Sequence, residues 1–113
     1  MKKTLLFVVL FLSIFILKAQ WVDQTSPTQN SLFSIHFPSS DVGYIVGYQG
    51  KILKTVDGGN NWGTQTSPVT ETLWSVHFPT VNAGYAVGAN GVIKKTVNGG
   101  VNWAPKTSGT TTE

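Results

Sequence analysis

Few side chains in this sequence could do chemistry. It contains no Cys and no Arg, and its acids are Asp23, Asp41, Asp57, Glu71 and Glu113. Without Cys there is no thiol nucleophile, disulfide or thiolate metal site. His36 and His77 could act as acid–base groups. They occupy the same place in two copies of one motif, however: Ser34-Ile35-His36-Phe37 and Ser75-Val76-His77-Phe78. A catalytic base is unique to its reacting centre, so a duplicated imidazole reads as framework. Asp57 has the richest local context. As a hydrolytic carboxylate it would need a second acid across the scissile bond. As a calcium ligand it would need several converging oxygens. The other nearby acid of its own unit is Asp41, while Asp23 and Glu113 fall near the ends of the mature chain. The Asp57-Gly58-Gly59 turn also lacks the spacing and the Lys of a phosphate-binding loop. The sequence is accordingly read as non-enzymatic, with no catalytic residue, no metal and no cofactor.

The residues around Asp57 belong to a repeat. Trp21, Trp62 and Trp103 are spaced 41 residues apart. Trp21-Val22-Asp23-Gln24-Thr25-Ser26-Pro27 recurs as Trp62-Gly63-Thr64-Gln65-Thr66-Ser67-Pro68, and residues 31–62 laid over 72–103 agree at 18 of 32 positions. A period of this length marks supersecondary units that cannot bury their apolar faces singly. Each unit reads as four short strands, a to d, separated by turn residues. The first spans 32–37, 43–47, 51–56 and 62–67; the second spans 73–78, 84–88, 92–97 and 103–107. Alternation puts Phe33, Ile35 and Phe37 on one face of strand a and Ser34 and His36 on the other. Pro38 and Pro79 end strand a, because proline offers no N–H to the ladder. The glycine pairs that bracket strand b (Gly43 with Gly47, Gly84 with Gly88) are read as admitting another backbone near the centre of a radial assembly. Asn90-Gly91 signals a tight hairpin turn between b and c. Nothing after residue 19 shows helical spacing.

The c–d turns carry the motif. Thr55-Val56-Asp57-Gly58-Gly59-Asn60-Asn61-Trp62 reads T-x-D-x-G-x-x-W, and Thr96-Val97-Asn98-Gly99-Gly100-Val101-Asn102-Trp103 is its partner. An Asp or Asn side chain can accept backbone N–H groups of its own turn. Glycine reaches backbone angles closed to other residues, and a buried Trp locks the turn to its sheet. The structural set is therefore Thr55, Asp57, Gly59 and Trp62, with Thr96, Asn98, Gly100 and Trp103. Asn98 in place of Asp keeps an acceptor oxygen, so that turn is expected to persist in weaker form. This motif resembles the Asp-box, or bacterial neuraminidase repeat. With the preceding G-Y-x-V-G-x-x-G-x-I run, the unit is most similar to the photosystem II stability and assembly factor family of propellers. The resemblance implies one propeller blade per unit and an assembly scaffold rather than an enzyme. The expected fold is thus all-β: two four-stranded antiparallel blades plus one N-terminal strand, a partial β-propeller. Asp-boxes also occur in sialidases, which makes a glycan-binding or degenerate sialidase-like domain the alternative. Such sialidases hold the substrate carboxylate with an arginine triad, and this chain has no Arg.

In an up-and-down blade, the b–c and d–a connections share one end. Tyr48, Gln49, Asn90 and Glu71 lie there and are the candidate binding tips. Tyr48 becomes Ala89 in the second unit, while the framework stays constant. Differing tips on a constant scaffold suit contact with a protein or glycan partner.

Residues 1–19 read as a secretory signal peptide. Lys2 and Lys3 precede an apolar run from Leu5 to Leu17 that is too short to span a bilayer, and Ala19 marks the cleavage site, although Leu17 departs from the small residue preferred there. Export to the periplasm or the extracellular space follows, with no membrane span after cleavage. Lys2, Lys3 and Lys18 leave with the signal, and five Lys then balance five acids in the mature chain. A neutral surface offers no footprint for nucleic acid. The division expected is an N-terminal strand of an incomplete blade at 20–30, blade 1 at 31–71, and blade 2 with a frayed tail at 72–113. Two blades leave two open faces. The phase of the Trp21 segment, a d strand without its own a, b and c, favours further C-terminal blades over assembly from several copies.

Overall fold

The computed structural model describes residues 20–67 and 69–112, so the expected signal peptide lies outside the described residues. Eight strands follow one another: β1 (Leu32–His36), β2 (Gly43–Gly47), β3 (Ile52–Thr55), β4 (Gly63–Thr64), β5 (Leu73–His77), β6 (Gly84–Gly88), β7 (Ile93–Thr96) and β8 (Ala104–Lys106). They form two four-stranded sheets, in the orders β1-β2-β3-β4 and β5-β6-β7-β8. Every pairing is antiparallel. These are the two blades expected from the repeat.

The blades match in detail. A register shift interrupts β1 between Leu32 and Ser34 and β5 between Leu73 and Ser75. Gln49-Gly50 and Asn90-Gly91 both turn with positive φ, which is the two-residue hairpin geometry. Strand d is shorter than its sequence suggests, only Gly63–Thr64 in the first blade. In the second, Pro105 sits opposite Lys94 on the outermost strand, the position where a missing N–H is tolerated.

Residues 20–30 form no strand. A d strand pairs with a c strand, and β4 and β8 already hold the edges of β3 and β7. The segment therefore has no ladder to join here, and Trp21 is fully exposed.

The core lies between the blades. Tyr44, Val46 and Ile52 of the first sheet meet Leu73, Val76, Phe78, Ala86 and Trp103 of the second. The ring of Tyr44 lies flat on that of Phe78, with centroids 3.6 Å apart and planes 2° from parallel. Tyr44 Oη donates to the carbonyl of Val81 at 2.8 Å, and Lys54 Nζ donates to that of Gly99 at 3.0 Å. Ser34 and His36 turn toward the second blade, where Ser34 Oγ accepts from Val76 N at 3.2 Å and His36 Nδ1 from Phe78 N at 3.0 Å. The alternation in strand a is thus realised from Ser34 onward, with Ser34 and His36 facing the next blade, but not at Phe33, which lies at the register shift and meets Trp74 of that blade.

The strand-b glycines divide between two causes, an aromatic ring at one end of the strand and, at the other, the close backbone expected of them. A Cβ on Gly43 would enter the Phe37 ring, and one on Gly84 the Phe78 ring. At Gly47 and Gly88 the obstacle is the carbonyl of Ser31 and of Thr72. Glycine serves here as the floor beneath an aromatic ring of strand a. The opposite edge of each ring meets the box Trp, Phe37 with Trp62 at 5.8 Å and Phe78 with Trp103 at 5.9 Å, both nearly perpendicular.

This arrangement predicts unequal costs. Phe78 is held between Gly84 and Tyr44 and cannot retreat, whereas the outer face of Phe37 is open. Gly84→Ala is expected to destabilise by about 1–3 kcal/mol, the range for overpacking a closed site. Gly43→Ala should cost clearly less. Denaturant midpoints of the two variants give the comparison.

Candidate functional site

Each box turn is organised by a buried threonine. Thr55 Oγ1 donates to Asp57 Oδ1 at 2.8 Å and accepts from Gly59 N at 2.9 Å. Asp57 Oδ1 also accepts from Asn61 N at 2.9 Å, and Oδ2 accepts from Asn61 Nδ2 at 2.7 Å. Gly59 has φ of 92°, which excludes most side chains. The Asn61 side-chain amide, then its backbone N–H, then the Thr55 hydroxyl hold the Asp57 carboxyl below the ordinary carboxylate range. A carboxylate so engaged is a turn clamp. Asp41, the nearby acid, contributes through its backbone, its carbonyl accepting from Gly58 N at 2.9 Å.

The second box keeps the same bonds around Asn98. Thr96 Oγ1 donates to Asn98 Oδ1 at 3.0 Å and accepts from Gly100 N at 2.9 Å, and Asn102 N donates to Asn98 Oδ1 at 3.0 Å. Asn98 has one acceptor oxygen where Asp57 has two, so the clamp on the neighbouring amide side chain is confined to the first box. Trp62 is half-buried and Trp103 buried.

The two imidazoles meet, with ring centroids 4.3 Å apart. Partial burial, and then the adjacent His77, push the pKa of His36 down. The neutral ring is the form whose Nδ1 can accept from Phe78 N. His36 is thus part of the contact between blades.

The loop tips gather through a residue not singled out in the sequence, Thr72. Its Oγ1 accepts from Gln49 N at 3.4 Å, and its carbonyl accepts from Ala89 N at 2.9 Å. Both b–c turns are therefore tied to the d–a linker beside Glu71. In the sequence Thr72 ends the d–a linker, which the up-and-down order puts at this end, and it stands where the first unit has Ser31. The carbonyl of Ser31 accepts from Tyr48 N at 2.8 Å, and Asn30 Nδ2 donates to the carbonyl of Tyr48 at 3.3 Å. Tyr48, Gln49 and Asn90 are exposed, and Glu71 is partly so. Gln49 holds φ of 55°, an unusual conformation for a long side chain.

Two expectations follow. Thr55→Val removes the acceptor of the buried Gly59 N–H and should cost about 1–3 kcal/mol. Asp57→Asn, which copies the second box, should lower the unfolding midpoint by less. Second, the folded pKa of His36 lies below its unfolded value, so the unfolded state takes up the proton first. Its stabilising contribution is complete above about pH 6.5 and is lost as pH falls through the folded pKa. Unfolding midpoints between about pH 7 and 5 should fall for the parent and flatten in His36→Asn, because the lowered Asp57 titrates below that window.

Residues 15–104 match the family model described as Photosynthesis system II assembly factor YCF48. Among solved structures, YCF48 bound to D1 peptide is similar at 28% identity and a TM-score of 0.65, over 70% of this chain and 27% of that one. YCF48 from Cyanidioschyzon merolae is similar at 30% identity and a TM-score of 0.69, over 79% of this chain and 27% of that one. This chain therefore spans about a quarter of the length of those structures. No curated protein sequence matches it. The family match runs through both blades and both box turns, and the chain belongs to the photosystem II assembly factor YCF48 family of β-propeller repeat proteins.

Proposed function

We propose that this chain is an exported, non-catalytic propeller scaffold that holds a protein segment at the end of the blades where Tyr48, Gln49, Glu71 and Asn90 gather. The observation that carries this reading is the double attachment of Thr72, which makes one rim of two turns whose tips differ between the units. Residues common to both units are committed to the framework. Asp57 is engaged by its own turn through three hydrogen bonds and His36 Nδ1 by the neighbouring blade, which supports the absence of catalysis. That the similar YCF48 structure carries a D1 peptide supports a polypeptide as the ligand class. Export rests on the basic and apolar pattern of residues 2–19. No helix among the described residues is long and apolar enough to cross a membrane.

The rim makes a direct contribution expected of Tyr48. An exposed aromatic side chain at a binding edge commonly supplies a large share of affinity. On peptide and glycan arrays probed with the mature chain, peptides should bind, and Tyr48→Ala should weaken the best of them about tenfold with an unchanged melting temperature. Glycan binding that depends on Tyr48, or a hydrolase activity abolished by changing one mature residue, would overturn the reading.

A further inference from the structure

The chain holds two Asn-Gly pairs, Asn90-Gly91 and Asn98-Gly99. An asparagine so placed is open to attack by its own backbone. The amide nitrogen of the glycine loses its proton to hydroxide and adds to the asparagine Cγ. The N–Cγ bond forms, the Cγ–Nδ2 bond breaks, and the nitrogen leaves as ammonia. The product is a five-membered succinimide. Water then opens that ring at one carbonyl or the other, to aspartate or to isoaspartate. Glycine favours the closure because it has no side chain in the way and reaches backbone angles closed to other residues. We infer that Asn90 is a spontaneous modification site on the rim, converted through Gly91 to aspartate and isoaspartate, and that the second box turn shields Asn98 from the same reaction.

Exposure does not separate the two sites, since both asparagines face solvent. Their bonding does. Asn98 Oδ1 accepts from Thr96 Oγ1 and from Asn102 N, each at 3.0 Å. Gly99, which would attack it, is buried, and its N–H donates to the carbonyl of Asn82 at 2.9 Å. Three hydrogen bonds must therefore open before Gly99 N can meet the Asn98 Cγ. Asn90 sits instead at the tip of a two-residue turn, at φ of 60° and ψ of 28°. Among the described residues, none hydrogen-bonds its side chain. Rotation about ψ is all that brings its Cγ to the following nitrogen.

The fold demands the glycine of this pair and leaves the asparagine free. A Cβ on Gly91 would strike the carbonyl of Thr110, as one on Gly50 would strike that of Val69. The residue before it, Asn90, is Gln49 in the first blade, in the same left-handed conformation. Glutamine would have to close a ring with one more atom, so Gln49-Gly50 is a slow copy of the same turn. Gln49 stays exposed although the second blade is stacked on the first and binds its backbone N–H through Thr72. A tip at this position therefore remains open to water when another blade follows. The reaction needs no partner, so it is independent of what the rim binds. Aspartate adds a negative charge to the rim. Isoaspartate also lengthens the backbone of a turn that must return β7 to β6 with Val87 opposite Ile93.

Ageing the purified protein in mildly alkaline buffer, folded and in parallel in denaturant, tests this. Cleavage at Lys94 and Lys95 separates the two sites, and tandem mass spectrometry of the peptides reads the exchange of amide for acid at each. Labelling by an isoaspartyl methyltransferase identifies the isoaspartate. In the folded protein Asn90 is expected to convert at least about tenfold faster than Asn98, because opening the clamp around Asn98 makes its reactive state rarer by that factor or more. In denaturant the clamp is gone and the two rates should converge. Asn90→Gln should abolish the fast conversion and leave that of Asn98 unchanged. An Asn90 that stays intact in the folded protein while it converts in denaturant would overturn the inference. So would equal rates at the two sites in the folded protein, or a different asparagine converting first.

Discussion

The stacking of Tyr44 on Phe78 is the contact on which the rest of the molecule leans. A four-stranded sheet of such short strands encloses nothing, so its apolar side chains become dry only when the next blade covers them. The two rings lie almost face to face. Aromatic pairs favour offset or edge arrangements, so the ring quadrupoles contribute little to this one. Its strength comes from burial, roughly 1.5–3 kcal/mol for each large apolar side chain removed from water. The hydrogen bond from Tyr44 Oη to Val81 adds a smaller amount, about 0.5–1.5 kcal/mol. Burial therefore drives the docking of the blades, and the polar groups fix its register.

That register is fixed with economy. Gly84 lets Phe78 settle onto β6, Trp103 closes the edge of the ring, and the box turn holds Trp103 in place. A chain of contacts thus runs from the Thr96 hydroxyl, through the turn, to the core. The box acts at a distance from the interface by determining where the Trp ring stands. This explains why Asn98 can replace Asp57. What the core requires is the turn with its Gly100 bond to Thr96, and a single acceptor oxygen suffices for that.

Much of this was legible in the residues. The 41-residue spacing of Trp, with glycines at constant offsets, marks two equal sheets, and strand bounds in the chain differ from expectation by a residue or two except in strand d. Strand d is shorter than the repeated segment that marks it: its pairing with β3 covers Gly63 and Thr64, and a last bond runs from Gln65 N to the Ile52 carbonyl at 2.8 Å. The Trp21 segment misleads for a related reason. Its residues copy a d strand faithfully, but a strand exists only where a neighbour offers unpaired groups. Periodicity describes what a segment can do, and pairing decides what it does. Gly47 and Gly88 were legible together with their cause, a close backbone, whereas Gly43 and Gly84 were legible only as positions, since the ring that needs them comes from a different strand. Thr72 left almost no trace, because its role depends on two turns brought together by the docking of the blades.

Docking therefore has a second consequence, beyond shelter from water. The turn at Gln49 belongs to one blade and the turn at Ala89 to the other, and Thr72 can touch both only when the sheets are stacked in register. The rim is a property of the pair, not of either blade. Within the stack, Tyr44 and Phe78 have counterparts of the same type one period away, in Tyr85 and Phe37. At the rim the units differ: Tyr48 is exposed, whereas its equivalent Ala89 is buried. The placing of the rim then depends on the stack, because Gln49 of one turn and Ala89 of the other are both held through Thr72.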